Sequence, residues 1–112
     1  MDEVLQQADV VSLHPVLDKT TYHLVNKERL ALMKEVILIN CSRGPAIGEV
    51  ALVEHLKQNP MFRVGLDVFE DEPYMKPELA DMKNAVLVPH IASASKWPCE
   101  GMAALAALNV LA

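Results

Sequence analysis

An arginine, a group of carboxylates and a histidine each follow a separate short apolar run in this chain. Arg43 lies in the turn Asn40-Cys41-Ser42-Arg43-Gly44, directly after the run Glu35–Asn40. Asp67 lies near the end of the run Arg63–Val68, and Glu70, Asp71 and Glu72 follow shortly after it. His90 follows the run Asn84–Pro89, and a fourth run, Ala8–Leu13, leads into His14-Pro15. A cation, a carboxylate and an imidazole brought together suit acid–base chemistry on an anionic substrate. Each also has a plainer reading. Arg43 then belongs to a surface turn, Asp67 caps a loop, Glu70–Glu72 form a solvated acidic segment, and His90 is a satisfied core histidine. The choice depends on whether the four runs are neighbouring strands that end on one rim, because ligands of open α/β sheets sit beyond the carboxyl ends of the strands.

The runs are of strand length, rich in Val, Ile and Leu, and nearly continuous in apolar character. Strands covered on both faces of a parallel sheet read this way. Helical stretches separate them. Asn26 is placed to cap a helix over 27–33. Ile47–Asn59 puts Val50, Leu52, Val53 and Leu56 on one face and is ended by Pro60. Ser93–Ala112 reads as a longer helix with Pro98 in its first turns, where proline is best tolerated. Met1–Gln7 reads as the end of another helix. Alternating strands and helices predict an α/β fold with a doubly wound parallel sheet. The segment from Glu70 to Asp81 reads as a long acidic loop carrying Pro73 and Pro77.

Composition narrows the function classes. With 112 residues the chain makes one domain at most, and 4% aromatic content means an aliphatic core. Ten basic against fifteen acidic residues, net −5, provide no basic face for nucleic acid. No apolar run approaches the roughly 20 residues of a membrane-spanning helix. The first ten residues show neither the basic nor the apolar region of a secretory signal. Cys41 and Cys99 are too few for a disulfide framework, and with four histidines at these spacings they form no zinc pattern. Cys41 reads as a packing residue, Cys99 as a helix-face residue without a role, and His23 and His55 as surface residues.

The runs INCSRG (39–44), GLDVFEDEP (65–73) and PHIAS (89–93), in that order, resemble the NAD(P)-dependent D-2-hydroxyacid dehydrogenases. VSLHPVLDKTTYHLVN (11–26) extends the likeness upstream. The phrasing of QNPMFRVGLDVFEDEP and PHIASASKW is nearest to the plant-type hydroxypyruvate (glycerate) reductase branch, and the resemblance spans essentially the whole chain. It implies a fold: residues 1–112 form the C-terminal half of a Rossmann-like dinucleotide-binding domain. It also implies roles. Arg43 holds the carboxylate and keto oxygen of a 2-oxo acid, since a guanidinium offers two parallel donors. His90 exchanges a proton with the keto oxygen, and Glu72 orients the ring and favours the imidazolium. Asp67 lies towards the nicotinamide. His14, Pro15, Cys41, Ser42, Arg43, His90 and Ala92 border the cofactor, NAD or NADP, with NADH preferred. The implied partners are a small 2-oxo or 2-hydroxy acid and a second copy in a homodimer.

Several features depart from a complete enzyme of that kind. None of the four glycines (Gly44, Gly48, Gly65, Gly101) forms the G-x-G-x-x-G loop that cradles a pyrophosphate. A substrate domain is not evident either, so the 112 residues alone are expected to be inactive. Gly48 stands where the family's turn usually carries Asp, and Pro98 and Cys99 replace Thr and an Arg-like residue. Two other classes share the motifs: a dehydrogenase-fold corepressor that uses cofactor binding as a sensor, and a non-functional remnant. Formate dehydrogenases of this fold would carry Gln in place of Glu72. The resembled plant enzymes are peroxisomal, with a C-terminal address. This chain ends in VLA, so the compartment reads as peroxisomal or cytoplasmic.

Overall fold

A computed structural model describes all 112 residues. Four short strands, β1 (Val10–Leu13), β2 (Ile37–Asn40), β3 (Arg63–Leu66) and β4 (Ala85–Leu87), form one parallel sheet in the order β1-β2-β3-β4. Leu38 pairs with Val11 on one side and Val64 on the other, which sets the register. The helices are α1 (Asp2–Gln7), α2 (Lys27–Leu32), α3 (Glu49–Gln58), α4 (Pro77–Ala80) and α5 (Lys96–Leu111). The α/β expectation holds, and all four rim segments follow the carboxyl ends of neighbouring strands.

Each strand is added on the same side of the one before it. Right-handed crossovers then place the connecting helices on one face of the sheet. On that face Leu5, Leu30, Leu52, Leu56 and Phe62 close over Leu38, Val64 and Leu66 in an aliphatic core. The opposite face is open, with Val10 and Val86 exposed and Ile37 and Ile39 only partly covered. The expectation of strands covered on both faces is therefore corrected. The strands carry apolar residues on both faces, but the helices of this segment reach only one.

Local sequence explains the ends of the elements. The Asn26 side chain accepts the Arg29 N–H at 3.0 Å and starts α2. The buried stripe of α3 is Glu49, Leu52, Val53 and Leu56, a spacing of i, i+3, i+4, i+7. Val50, expected on that stripe, is 60% exposed because it lies a third of a turn away from it. The acidic segment is not wholly loop: α4 forms within it, and Leu79 is buried in the core. Helix α5 forms where expected, with Pro98 in its first turn, but buries none of its residues. No helix is long and apolar enough to cross a membrane.

Candidate active site

The Arg43 turn is shaped by Asn40, which is buried at the end of β2. Its amide donates to the Arg43 carbonyl at 3.0 Å, and its oxygen accepts the Ser42 N–H and hydroxyl at 3.1 and 2.8 Å. Gly44 lets the turn press against the next strand end, since a Cβ there would lie 1.8 Å from the Phe69 carbonyl oxygen. Only glycine permits that approach. The Arg43 side chain is exposed. One Nη1–H donates to the Ser42 carbonyl at 2.7 Å, and the other guanidinium donors have no protein partner. Arg43, Ser42 and Cys41 line a shallow cavity of about 270 Å³ with His14 and Pro15, and no carboxylate faces it. His14 Nε2 lies 2.7 Å from Ser12 Oγ. The Cys41 thiol is exposed rather than packed.

The second cluster joins the ends of β3 and β4. His90 Nδ1 is 2.8 Å from Glu72 Oε2, and Glu72 Oε1 accepts the Phe69 N–H at 3.1 Å. The hydrogen bond from His90 holds the Glu72 carboxyl below its ordinary value, helped by the Phe69 N–H and opposed by burial and the Asp67 charge. Both side chains remain open to solvent, beside a cavity of about 410 Å³ that Phe69, Pro73, Met75 and Leu87 also line. His90 has φ 56°, an unusual backbone angle for a non-glycine residue. Asp67 secures the turn that follows. It is buried, and its oxygens accept the Ile91 and Ala92 N–H groups at 2.6 and 3.0 Å. The Asp67 carboxylate is thus taken up by the turn after His90, and Ala92 itself is exposed.

Three residues read differently in the structure than in the sequence. Glu70 is not a solvated loop residue. Its carboxylate accepts the Glu49 N–H at 3.0 Å and pairs with His23 Nε2, so His23 is not a free surface histidine. His55 is half-buried, its ring edge-on to Phe62 at 4.6 Å, and desolvation lowers its pKa. Asp71 is exposed as expected, 3.3 Å from the Lys76 ammonium. Sequence reasoning passed over Asn40 and Glu49. A buried Glu was legible in the α3 spacing, where position 49 falls on the apolar stripe.

The structure thus gathers seven of the nine expected residues into two adjacent groups, while Asp67 and Ala92 meet in the turn after His90 and line neither cavity. His14, Pro15, Cys41, Ser42 and Arg43 surround one cavity, and Glu72 and His90 face another. Gly44 packed on Phe69 joins the two.

Comparison with known proteins gives this arrangement its family. The sequence profile of "D-isomer specific 2-hydroxyacid dehydrogenase, NAD binding domain" matches residues 1–92. The peroxisomal glycerate dehydrogenase HPR of Arabidopsis thaliana is 80% identical over 112 residues, which cover 99% of this chain and 29% of that protein. The crystal structure of a glyoxylate reductase from Paecilomyes thermophila superposes with a TM-score of 0.86 at 40% identity, over 93% of this chain and 32% of that one. An NADPH-dependent glyoxylate/hydroxypyruvate reductase from Sinorhizobium meliloti, solved with NADP and malonate, superposes with a TM-score of 0.80 at 32% identity, over 87% of this chain and 31% of that one. The chain spans about three-tenths of the length of these relatives. The profile covers most of the chain, and the chain belongs to the NAD-binding domain family of the D-isomer-specific 2-hydroxyacid dehydrogenases.

Proposed function

We propose that this segment supplies the anion-binding and acid–base rim of an enzyme that reduces small 2-oxo acids, hydroxypyruvate and glyoxylate first, to D-2-hydroxy acids. The observation that carries this reading is the Glu72–His90 pair, open to solvent and one strand away from a guanidinium with free donors. Arg43 binds the substrate carboxylate and keto oxygen through its free N–H groups. Glu72 is held ionised and engages His90 Nδ1, which leaves Nε2 as the atom that gives a proton to the keto oxygen. In the oxidative direction the same nitrogen takes the proton back.

The cavity at the ends of β1 and β2 suits the nicotinamide end of a dinucleotide. It is shallow, and Pro15, Val16 and Leu17 give it an apolar side next to His14, Ser42 and Arg43. His14, Pro15, Cys41, Ser42 and Ala92 border that group, and Asp67 acts on it through the turn it holds. NADH or NADPH, when bound, supplies the hydride. The 112 residues form part of the dinucleotide-binding domain and are inactive alone, because the sequence contains no pyrophosphate-cradling glycine loop. The enzyme works as a homodimer. Its compartment is peroxisomal, as the name of the Arabidopsis relative states for that protein, or else cytoplasmic.

The test is a splice. Residues 1–112 replace the matching segment of the Arabidopsis glycerate dehydrogenase, and NADH- and NADPH-dependent reduction of hydroxypyruvate is measured beside a His90→Ala version. Turnover that falls by about 10²-fold or more in His90→Ala supports the assignment. A folded spliced protein with no turnover, or one indifferent to His90→Ala, overturns it.

A further inference from the structure

The segment that carries Glu72 is clasped at both ends by one buried carboxylate. Glu49 opens α3 and is only 4% exposed. Its Oε2 accepts the Glu70 N–H at 2.8 Å, and its Oε1 accepts the Lys76 N–H at 2.8 Å. Residues 70 and 76 bracket Glu72. The clasp is reciprocal, because the Glu70 carboxylate returns to the Glu49 N–H and meets His23 Nε2. The return bond also explains how α3 starts. Its N-cap, Gly48, has no side chain to satisfy a first-turn N–H, and Glu70 supplies the acceptor from another element.

Burying a carboxylate is costly unless its oxygens are hydrogen-bonded. Those of Glu49 are, and both bonds go to the backbone of one loop. A glutamine there would present N–H groups to N–H groups at one of the two contacts. The loop's other bonds include an exposed Lys76–Asp71 pair, the Tyr74 N–H on the Asp71 carbonyl at 3.0 Å, and the Phe69 N–H on Glu72 itself.

We propose that Glu49, backed by Glu70 and His23, is the positioning residue for the Glu72–His90 pair, closing the loop that carries Glu72 by binding the N–H groups at both its ends. The catalytic part of this inference rests on the function proposed above; the positioning part does not. Glu49 touches no substrate. It sets where Glu72 meets His90, and His23 holds the outer end of the clasp.

Two readouts test it. The first is NMR titration of the Glu72 carboxyl in the 112-residue chain. Glu72 faces His90 and Asp67 as its titratable neighbours, and the Phe69 N–H. Glu49→Gln is expected to raise its titration towards the ordinary carboxylate range, as the bond to His90 loosens. The second is kinetics in the spliced enzyme. Glu49→Gln is expected to lower kcat on the order of 10-fold to 10²-fold while KM for hydroxypyruvate changes less than about 3-fold. His23→Leu is expected to give a smaller loss in the same direction. His23→Gln, which keeps an N–H at the position of Nε2, is expected to restore it. If Glu49→Gln does not fold, the His23 pair decides the question. An unchanged Glu72 titration with full kcat in the variants would make Glu49 a stability residue only and overturn the proposal. An inactive spliced enzyme before any change at Glu49 would overturn the function instead, and the titration would still decide the clasp.

Discussion

Glu49 and Glu72 are both carboxylates at the same end of the sheet, and they use their oxygens differently. Glu49 sits behind the loop, buried, with both oxygens bonded to backbone N–H groups. Glu72 sits in front, open to solvent, with one oxygen on a backbone N–H and the other on an imidazole. A carboxylate saturated by backbone fixes the position of a chain segment. A carboxylate that shares a solvent-open histidine can take part in proton movement. Exposure and partner type, rather than residue type, separate the two regions.

The largest effect expected from breaking the front alone is that of His90→Ala in the spliced enzyme. kcat falls about 10²–10⁴-fold, while the denaturation midpoint stays within the small range typical of surface changes, because the ring is half exposed and outside the core. A large loss of stability in His90→Ala would mean that the front also holds the fold. Breaking the back gives the opposite pattern. Leu52→Ala, one helical turn beyond Glu49 on the same buried stripe, is expected to cost about 2–5 kcal/mol in chemical denaturation. Gly44→Ala tests the join between the two cavities. The added methyl collides with the Phe69 carbonyl, and the expected cost is about 1–3 kcal/mol, together with displacement of Arg43 relative to Glu72.

Much of this was legible in the sequence, for identifiable reasons. Strand-length apolar runs with helix signals between them gave the order of the elements, and Asn26 caps α2 as its type and position require. Arg43, Glu72 and His90 stand out in the sequence because each follows a strand-length apolar run and falls within a motif of the resembled family. What escaped was the set of polar residues that serve the backbone. Asn40 looks like the last residue of a strand, and nothing in its neighbours announces that its side chain shapes the following turn. Glu70 looked solvated because its neighbours are acidic, yet its partners, Glu49 and His23, are distant in sequence. The open face of the sheet escaped for a different reason. Apolar content shows that a surface seeks cover, and it does not show which segment provides it. Val50 shows the limit of reading by residue type: Val50→Ala is expected to change stability by no more than about 0.5 kcal/mol, a contrast with Leu52→Ala that one pair of denaturation curves decides.

The smallest expected effect is that of pH, and it follows from the lowered pKa of Glu72. The hydrogen bond from His90 depresses the Glu72 carboxyl in the folded chain relative to its ordinary value. A carboxyl depressed on folding adds stability above its unfolded pKa and loses that contribution as pH falls through the folded value. The pair is half exposed, so solvent screens the interaction and the change in unfolding stability over this acid range is slight. Its effect on turnover is more visible. Below the depressed Glu72 pKa the carboxyl is protonated and no longer accepts from Nδ1–H, so the ring loses its orientation. kcat/KM in the spliced enzyme is therefore expected to fall on the acid side at a pH below the ordinary glutamate range. Glu72→Gln should remove that acid limb while lowering activity across the whole profile. An acid limb that persists unchanged in Glu72→Gln would assign it to another group and place Glu72 with the structural carboxylates, beside Glu49.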